Sequence, residues 1–368
     1  MAKIMLWGYY GTNYGDNISM DVLVRHLAKD HEVILASRFT PMRDIADRYN
    51  LPYAELLRGK ASVMERLRFF CRWRKCIHLW GGGTSFTNHE GCGNADPFLW
   101  LSMIGAKYGY VGIGIDNLNN RKRLGIARIM LRRCEFAIFR EEQSAELANR
   151  YARSSRKHFT VGEDIVYGYL ADRQRVETKE SKPYVLICPR RLAHIFGTER
   201  ETAIINAMVT ASVEICHQLG IKHTKVLSTD VVEDAELTDI IANKIQSNGI
   251  CAEVFSTTDV ESITALITNA KLTLSARLHV SMVSEFLGSN TVSLSYSDKI
   301  IRLYESLPHR DCIDLYKVTD KLDKAIVSKA LQERVVNNDE MNTLLHSRAA
   351  RVNEMMHNLS HQLLEESN

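Results

Sequence analysis

The sequence predicts an α/β fold: two Rossmann-like domains with parallel sheets, facing each other across a cleft that holds the active site. Three observations predict it. Short continuous apolar runs, such as EVILAS (32–37) and YGYVGIGI (108–115), alternate with amphipathic segments. That is the pattern of strands covered on both faces by helices. The alternation breaks once, at the almost wholly polar DRQRVETKESKP (172–183), and then restarts. Loops rich in glycine or arginine directly follow several of the apolar runs, and open α/β sheets bind ligands beyond the carboxyl ends of their strands.

KIMLWGY (3–9) reads as the first strand, followed by a Gly/Asn loop and a helix near 17–29. EVILAS is the second strand. CIHLW (76–80) is a strand ending in a glycine run, and a helix near 96–106 leads to YGYVGIGI. FAIFRE (136–141) is another strand with a helix behind it. Beyond the polar segment come YVLICP (184–189), a helix near 200–219, TKVLS (224–228) and a helix near 233–247. CAEVF (251–255), KLTLS (271–275), a further helix and TVSLSY (291–296) complete the second series, and 320–365 reads as helices. The expected division is 1–172, 183–318 and a set of C-terminal helices over 319–368.

A chain of 368 residues is comfortable for two domains. Its 45% hydrophobic and 25% charged residues match a globular protein, and a net charge of +3 does not suggest a dedicated nucleic-acid binder. The eight cysteines form no CxxC pair, so neither a disulfide framework nor a zinc site is expected; no other metal cluster is expected either. The start, MAKIMLWGYYGTNYGD, does not read as a signal peptide, and no apolar run approaches the ~20 residues that span a bilayer. The expected location is the cytoplasm, at the inner face of the membrane if the acceptor is lipid-linked.

Four loops carry the chemistry. GYYGTNYGDN (8–17) lets a ligand approach the main chain, with Asp16 or Asn17 capping the next helix. It is not GxGxxG, and no ribose-binding acid stands in the expected place, so dinucleotide binding is weakly supported. LWGGGTSF (79–86) places three glycines after a buried strand. Each would cost roughly 1 kcal/mol against alanine in regular structure, which suits a loop whose Gly82 and Gly83 amides and Thr84 and Ser85 hydroxyls face a ligand. ICPRRLAH (187–194) sends adjacent arginines out of a strand, Arg190 first. Arginine forks match carboxylate and phosphate. TLSARLHVSMVSEFLG (273–288) reads as a strand turning into a helix capped by Ser275, with Arg277 and His279 in the first turn and Val280, Val283, Phe286 and Leu287 buried. A cation at a helix N-terminus is unfavourable unless an anion lies between them, so a bound phosphate or carboxylate is expected there. Downstream, SYSDK adds Tyr296 and Lys299 at the next strand end.

Taken together, GYYGTNYGDN, LWGGGTSF, FREEQSAEL (139–147), Asp164, ICPR and SARLHVSMVSEFLGSNTVSLSYSDK resemble the polysaccharide pyruvyl transferase family over roughly residues 3 to 305. The SxRLH turn followed by a helix, a strand and YxxK is the most specific piece. Asn17 follows Asp16 where the family often has an acid, and Glu163 and Asp164 stand where a DP-type pair is commoner. The resemblance implies a GT-B-like fold, with acceptor binding on the N-terminal domain and donor binding on the C-terminal one. It implies phosphoenolpyruvate as donor substrate with no other cofactor, and a sugar or lipid-linked glycan as acceptor. The donor site it implies consists of Arg190, Arg277, Leu278 and His279.

Such a donor needs two cationic anchors, met by Arg190 and Arg277, and a proton donor near neutral pH, for which His279 is assigned as acid/base or phosphate ligand. Asp16 is a candidate base toward the acceptor. Gly82, Gly83, Thr84, Asn17, Tyr296 and Lys299 complete the expected binding set. The rival reading is a nucleotide-sugar glycosyltransferase using Glu253 and Glu261, eight positions apart, although Glu253 falls inside a strand. A third reading is a glycan or membrane-surface module, because RLRFFCRWRKC (66–76) carries five cations among aromatics and could touch lipid headgroups. More often such a run is a solvated helix face with a buried aromatic side. The oligomeric state is not encoded in any of these patterns.

Overall fold

The computed structural model describes residues 1–89, 91–152, 158–173, 182–287, 290–332 and 338–367. Most of the polar segment 172–183 lies outside the described residues. The chain divides into two units, one of 1–11, 15–171 and 347–368, the other of 12–14 and 172–346.

The first unit runs β1 (Lys3–Trp7), α1 (Tyr14–Leu27), β2 (Glu32–Ser37), α2 (Arg43–Arg48), β3 (Tyr53–Glu55), α3 (Val63–Trp73), β4 (Ile77–Gly81), β5 (Thr84–Phe86) and α4 (Ala95–Met103). It continues with β6 (Tyr108–Ile115), α5 (Arg121–Arg133), β7 (Phe136–Phe139), α6 (Glu142–Ala152), β8 (His158–Val161) and α7 (Val166–Ala171). The second comprises β9 (Tyr184–Cys188), α8 (Ala193–Phe196), α9 (Thr198–Leu219), β10 (His223–Ser228), α10 (Ala235–Gln246), β11 (Cys251–Ser256) and α11 (Val260–Thr268). Then follow β12 (Leu272–Ser275), α12 (Leu278–Phe286), β13 (Asn290–Ser295), α13 (Asp298–Glu305), β14 (Ile313–Asp314), α14 (Leu322–Leu331) and α15 (Asn338–Ser367).

Both sheets are parallel, in the order β3-β2-β1-β4-β6-β7-β8, with β5 pairing on β6, and β11-β10-β9-β12-β13-β14. The strand interiors are apolar because both faces are covered. Ile4 to Trp7 and Val185 to Cys188 are fully buried, as the unbroken apolar runs require. Strand order reverses at β1/β4 in the first sheet and at β9/β12 in the second, so the loops leaving these strands part company there.

Helix ends follow their local chemistry. Ser62 and Glu65 form a reciprocal capping box at the start of α3, Asn120 accepts from the Lys122 and Arg123 amides at the start of α5, and Asp259 accepts from the Ser262 amide at the start of α11. Helix α1 begins at Tyr14, so Asp16 and Asn17 lie within its first turn instead of capping it. The loop before it is closed by Asn17 itself, whose Oδ1 accepts the Gly11 amide at 2.7 Å.

The C-terminal helices divide between the units. α14 packs on α9 in the second, while the later turns of α15 lie on the first. There Asn353 contacts His26 and Ser360 contacts His31, and Gly162 and Gly168 leave room for Met355 and Val352. His357 and His361 stand at HxxxH spacing on the exposed side of α15, their ring centroids 4.6 Å apart. Among the described residues, no three His, Cys, Asp or Glu side chains group so as to hold a metal ion. Nor is any described helix long and apolar enough to cross a membrane.

The core of the first unit contains a buried histidine whose protonation state is set by its neighbours. The Trp7 indole can only donate, and it donates to His78 Nδ1 at 3.1 Å, so Nε2 carries the proton and donates to the Trp73 carbonyl at 3.1 Å. Burial pushes this imidazole down to about 4 from its ordinary 6.5. The unfolded chain therefore binds the extra proton more readily, and stability should be fully present above pH 6.5 and lost as pH falls toward 4. The total from this group is about 3 kcal/mol. Urea unfolding at a series of pH values should show that loss, and His78→Gln should flatten it.

Candidate active site

In the second unit, the loops after β9, β12 and β13 bring three cations to one phenol. Arg190 leaves β9 just after Pro189. Its Nη1 donates to the Tyr296 hydroxyl at 2.7 Å, and its guanidinium lies 4.7 Å from the ring centroid. Lys299, in the first turn of α13, places its Nζ 5.2 Å from the centroid of the same ring. Tyr296 is buried, which alone would raise its pKa; Lys299, Arg190 and Arg277 outweigh burial and bring it below the ordinary 10.

Arg277 is the N-cap residue of α12 and is 6% exposed. Ser275 is not the cap; it ends β12. Its hydroxyl accepts the Arg277 amide at 3.0 Å and donates to the Arg277 carbonyl at 3.1 Å, fixing the turn from strand to helix. The Arg277 guanidinium is held by a protein carboxylate: Nε donates to Asp234 Oδ2 at 2.9 Å, and Nη2 donates to the same oxygen. The sequence reading required an anion beside this cation and assigned it to a ligand. Asp234 meets that requirement from inside the fold. Asp234 is fully buried, and its Oδ1 accepts the Arg191 amide at 3.0 Å, so one carboxylate ties the β9 loop to the β12 loop. Burial opposes the Arg277 charge, but Asp234, Tyr296 and Asp230 together hold its pKa above the ordinary value. Burial also raises the Asp230 carboxyl, with Arg277 acting against it. His279 and Leu278 occupy the first turn of α12 and are half-buried. Arg191 turns aside to Glu201 and Glu236.

The first unit gathers a different set at the ends of its strands. Gly82 and Gly83 have φ of 76° and 72°, open only to glycine without strain. A Cβ on Gly83 would also meet Asp16 Oδ1 at 2.7 Å. The Gly82 amide does not face outward: it donates to the Val111 carbonyl at 2.9 Å. The Thr84 hydroxyl accepts from Arg140 Nη2 at 3.1 Å, and Ser85 is buried in β5. Arg140 follows β7, is 8% exposed and pairs with Asp164 at 3.4 Å. Burial opposes its charge, yet Glu141, Asp164, Asp116 and Asp16 together raise its pKa. Gly114 is glycine because a Cβ there would meet the Arg140 guanidinium at 2.9 Å.

Asp230, Asp234, Asp116 and Arg140 were missed as site residues by the sequence reading. Asp116, Arg140 and Asp230 stand within two residues of the ends of β6, β7 and β10, so attention to every charged residue after a strand would have found them, whereas Asp234 opens α10 and carries no such signal. Of the glycosyltransferase pair, Glu253 lies within β11 and Glu261 pairs with Arg173.

Two parallel α/β units define a protein of the GT-B type, and solved structures agree on the fold. The chain is similar to the UDP-GlcNAc 2-epimerase of Methanocaldococcus jannaschii in complex with UDP-GlcNAc and UDP (TM-score 0.61, 14% identity, covering 94% of this chain and 99% of that one). It is also similar to the UDP-GlcNAc 2-epimerase of Neisseria meningitidis bound to UDP-GlcNAc (TM-score 0.59, 10% identity, 96% and 100%). A glycosyltransferase of Rickettsia africae gives a TM-score of 0.55 at 10% identity, covering 96% and 98%. No curated protein matches the chain. The model of the family "Polysaccharide pyruvyl transferase" matches residues 13–298, and the chain belongs to that family of transferases.

The Asp234–Arg277 pair yields a stability prediction. Asp234→Ala leaves a buried guanidinium without its carboxylate and should cost about 3–5 kcal/mol in urea unfolding. Asp234→Leu combined with Arg277→Met removes both charges and should cost clearly less.

Proposed function

We propose that the protein transfers the pyruvyl group of phosphoenolpyruvate to two hydroxyls of a sugar in a glycan or glycan precursor, forming a pyruvate ketal and releasing phosphate. The observation that carries this reading is the gathering of Arg190, Arg277 and Lys299 around Tyr296, the first two and the tyrosine within the region that matches the family and Lys299 directly after it. Phosphoenolpyruvate is a small molecule with a phosphate at one end and a carboxylate beside it. Arginine forks suit both groups, and Lys299 supplies a point charge.

A proton from an acid, assigned to His279, adds to the methylene carbon of the enol. One sugar hydroxyl attacks the neighbouring carbon and loses its proton to a base. The carbon–oxygen bond to phosphate then breaks, and phosphate leaves with a proton. The second hydroxyl attacks the same carbon, closes the ring and returns a proton to the acid. Leu278 shapes the turn that presents His279. No cofactor enters this scheme. The polar group at the strand ends of the first unit, with Asp16, Asn17, Gly82, Gly83, Thr84 and Arg140, is assigned to the acceptor, whose hydroxyls are good partners for carboxylates. The acceptor class is a free or lipid-linked sugar.

Phosphate release from phosphoenolpyruvate across a panel of glycosides, with mass spectrometry of the product, tests this directly. UDP-GlcNAc serves as the rival donor, and consumption of it without phosphoenolpyruvate turnover would replace this reading with glycosyl transfer. In calorimetry, Arg190→Ala and Arg277→Ala should each weaken phosphoenolpyruvate binding at least about tenfold, the loss of one charge-assisted contact. His279→Gln should instead lower kcat by roughly 100-fold or more with a smaller effect on binding.

A further inference from the structure

The first unit carries an exposed surface that the proposed chemistry does not use. Helices α3 and α4 are neighbours. Arg66 of α3 pairs with Asp96 of α4, and Phe69 and Phe98 both pack on Trp7, at 5.8 and 6.1 Å between ring centroids. Helix α5 packs on α4, and Arg133 donates to Ser102 at 3.3 Å. While these contacts bury the inner faces, the outer faces are apolar in an unusual way. Val63, Met64 and Leu67 share one side of α3, with Val63 75% exposed, and Trp100, Met103 and Ile104 share one side of α4 and its end, with Trp100 47% and Met103 58% exposed. Six large apolar side chains exposed on two neighbouring helices exceed the scatter of single exposed residues that a surface normally shows.

Cations flank this row. Arg68, Arg74 and Lys75 are exposed along and just beyond α3, and Arg132 and Arg133 are exposed at the end of α5. The acids on α3 and α4 are engaged within the fold. Glu65 closes the capping box with Ser62, and Asp96 takes Arg38 and Arg66; α5 contains no acid. The surface is thus apolar in the middle and positive beside it, the composition of a helix that lies in a lipid headgroup layer.

We infer that the α3–α4–α5 face docks on an anionic bilayer, with Trp100, Met103 and Leu67 entering the headgroup boundary and Arg68, Arg74 and Lys75 meeting lipid phosphates. A second copy of the chain would bring the same cations face to face, so charge favours a lipid surface over self-association. This inference stands independently of the donor and of the reaction.

Cosedimentation of the full chain with vesicles tests it. Vesicles of phosphatidylcholine and phosphatidylglycerol should bind the protein at least about tenfold more tightly than vesicles of phosphatidylcholine alone, and about 0.5 M salt should weaken the binding. Trp100→Asp with Met103→Asp should abolish binding. Arg68→Glu with Arg74→Glu and Lys75→Glu should reduce it to the neutral-vesicle level, at an unchanged melting temperature. If the apolar variant does not fold, the charge-reversal variant decides, since its residues are exposed and outside the core. Failure of the native protein to bind anionic vesicles, or equal binding by the charge-reversed variant, overturns the inference. So does a dimer in analytical ultracentrifugation that Trp100→Asp disperses.

Discussion

The second unit depends on one buried carboxylate. Asp234 accepts from the Arg277 side chain with one oxygen and from the Arg191 amide with the other. A buried ion pair seldom adds much net stability, because the desolvation of both charges offsets their attraction. What it supplies here is geometry. Arg277 stands at a helix N-terminus, where the dipole repels a cation, and a free guanidinium would turn away. The Asp234 oxygen holds it in place, and the Ser275 hydroxyl fixes the backbone that carries it. The loops of β9 and β12, neighbours at the point where strand order reverses, are thereby locked to each other.

That topology explains why so much was legible. The four loops singled out from the sequence follow β1, β4, β9 and β12, the four strands that flank the two reversal points. Buried parallel strands are written as unbroken apolar runs, so their ends can be read, and residues that interrupt such runs with glycine or arginine stand out. The strands over 32–37 and 108–115 match their predicted bounds for the same reason. Short or half-exposed elements were not legible. β3, β5 and β14 have three residues or fewer, too few for a pattern to form, and β8 (HFTV) lacks the unbroken apolar run that marks the equally short β7 (FAIF). The role of Asp234 was hidden because VVEDAEL reads as the polar opening of an ordinary helix. Its partner lies 43 positions away, and only tertiary structure brings the two together. The same limit left the anion beside Arg277 open: a cation at a helix N-terminus calls for one, but sequence alone could not name Asp234 as a source.

The two units treat charge in opposite ways. In the first, one arginine, Arg140, lies among Asp16, Asp116, Glu141 and Asp164, so carboxylates outnumber the cation at the strand ends. In the second, Arg190, Arg277 and Lys299 surround a phenol, with Asp230 and Asp234 beneath them. Carboxylates suit hydroxyl-rich partners, which donate hydrogen bonds, and guanidinium and ammonium groups suit anions, which accept them. The proposed donor, a double anion, matches the second set, and the proposed acceptor, a polyol, matches the first.

Tyr296 is the point in the second unit where burial and the three cations act on one oxygen. Burial alone would push its pKa up. The pKa instead falls, and the sources of the fall are the three cations from three separate loops. The cations act against burial at that oxygen, even though the carboxylate of Asp234 lies against one of them. An anionic oxygen at the phenol's position would be stabilised by the same field, and in a desolvated setting by more than it would be in water. The field is also preorganised. Arg277 is fixed by Asp234, Arg190 is held by the Tyr296 hydroxyl, and Lys299 stands on the first turn of α13, so little reorientation is needed for these groups to act on an anion.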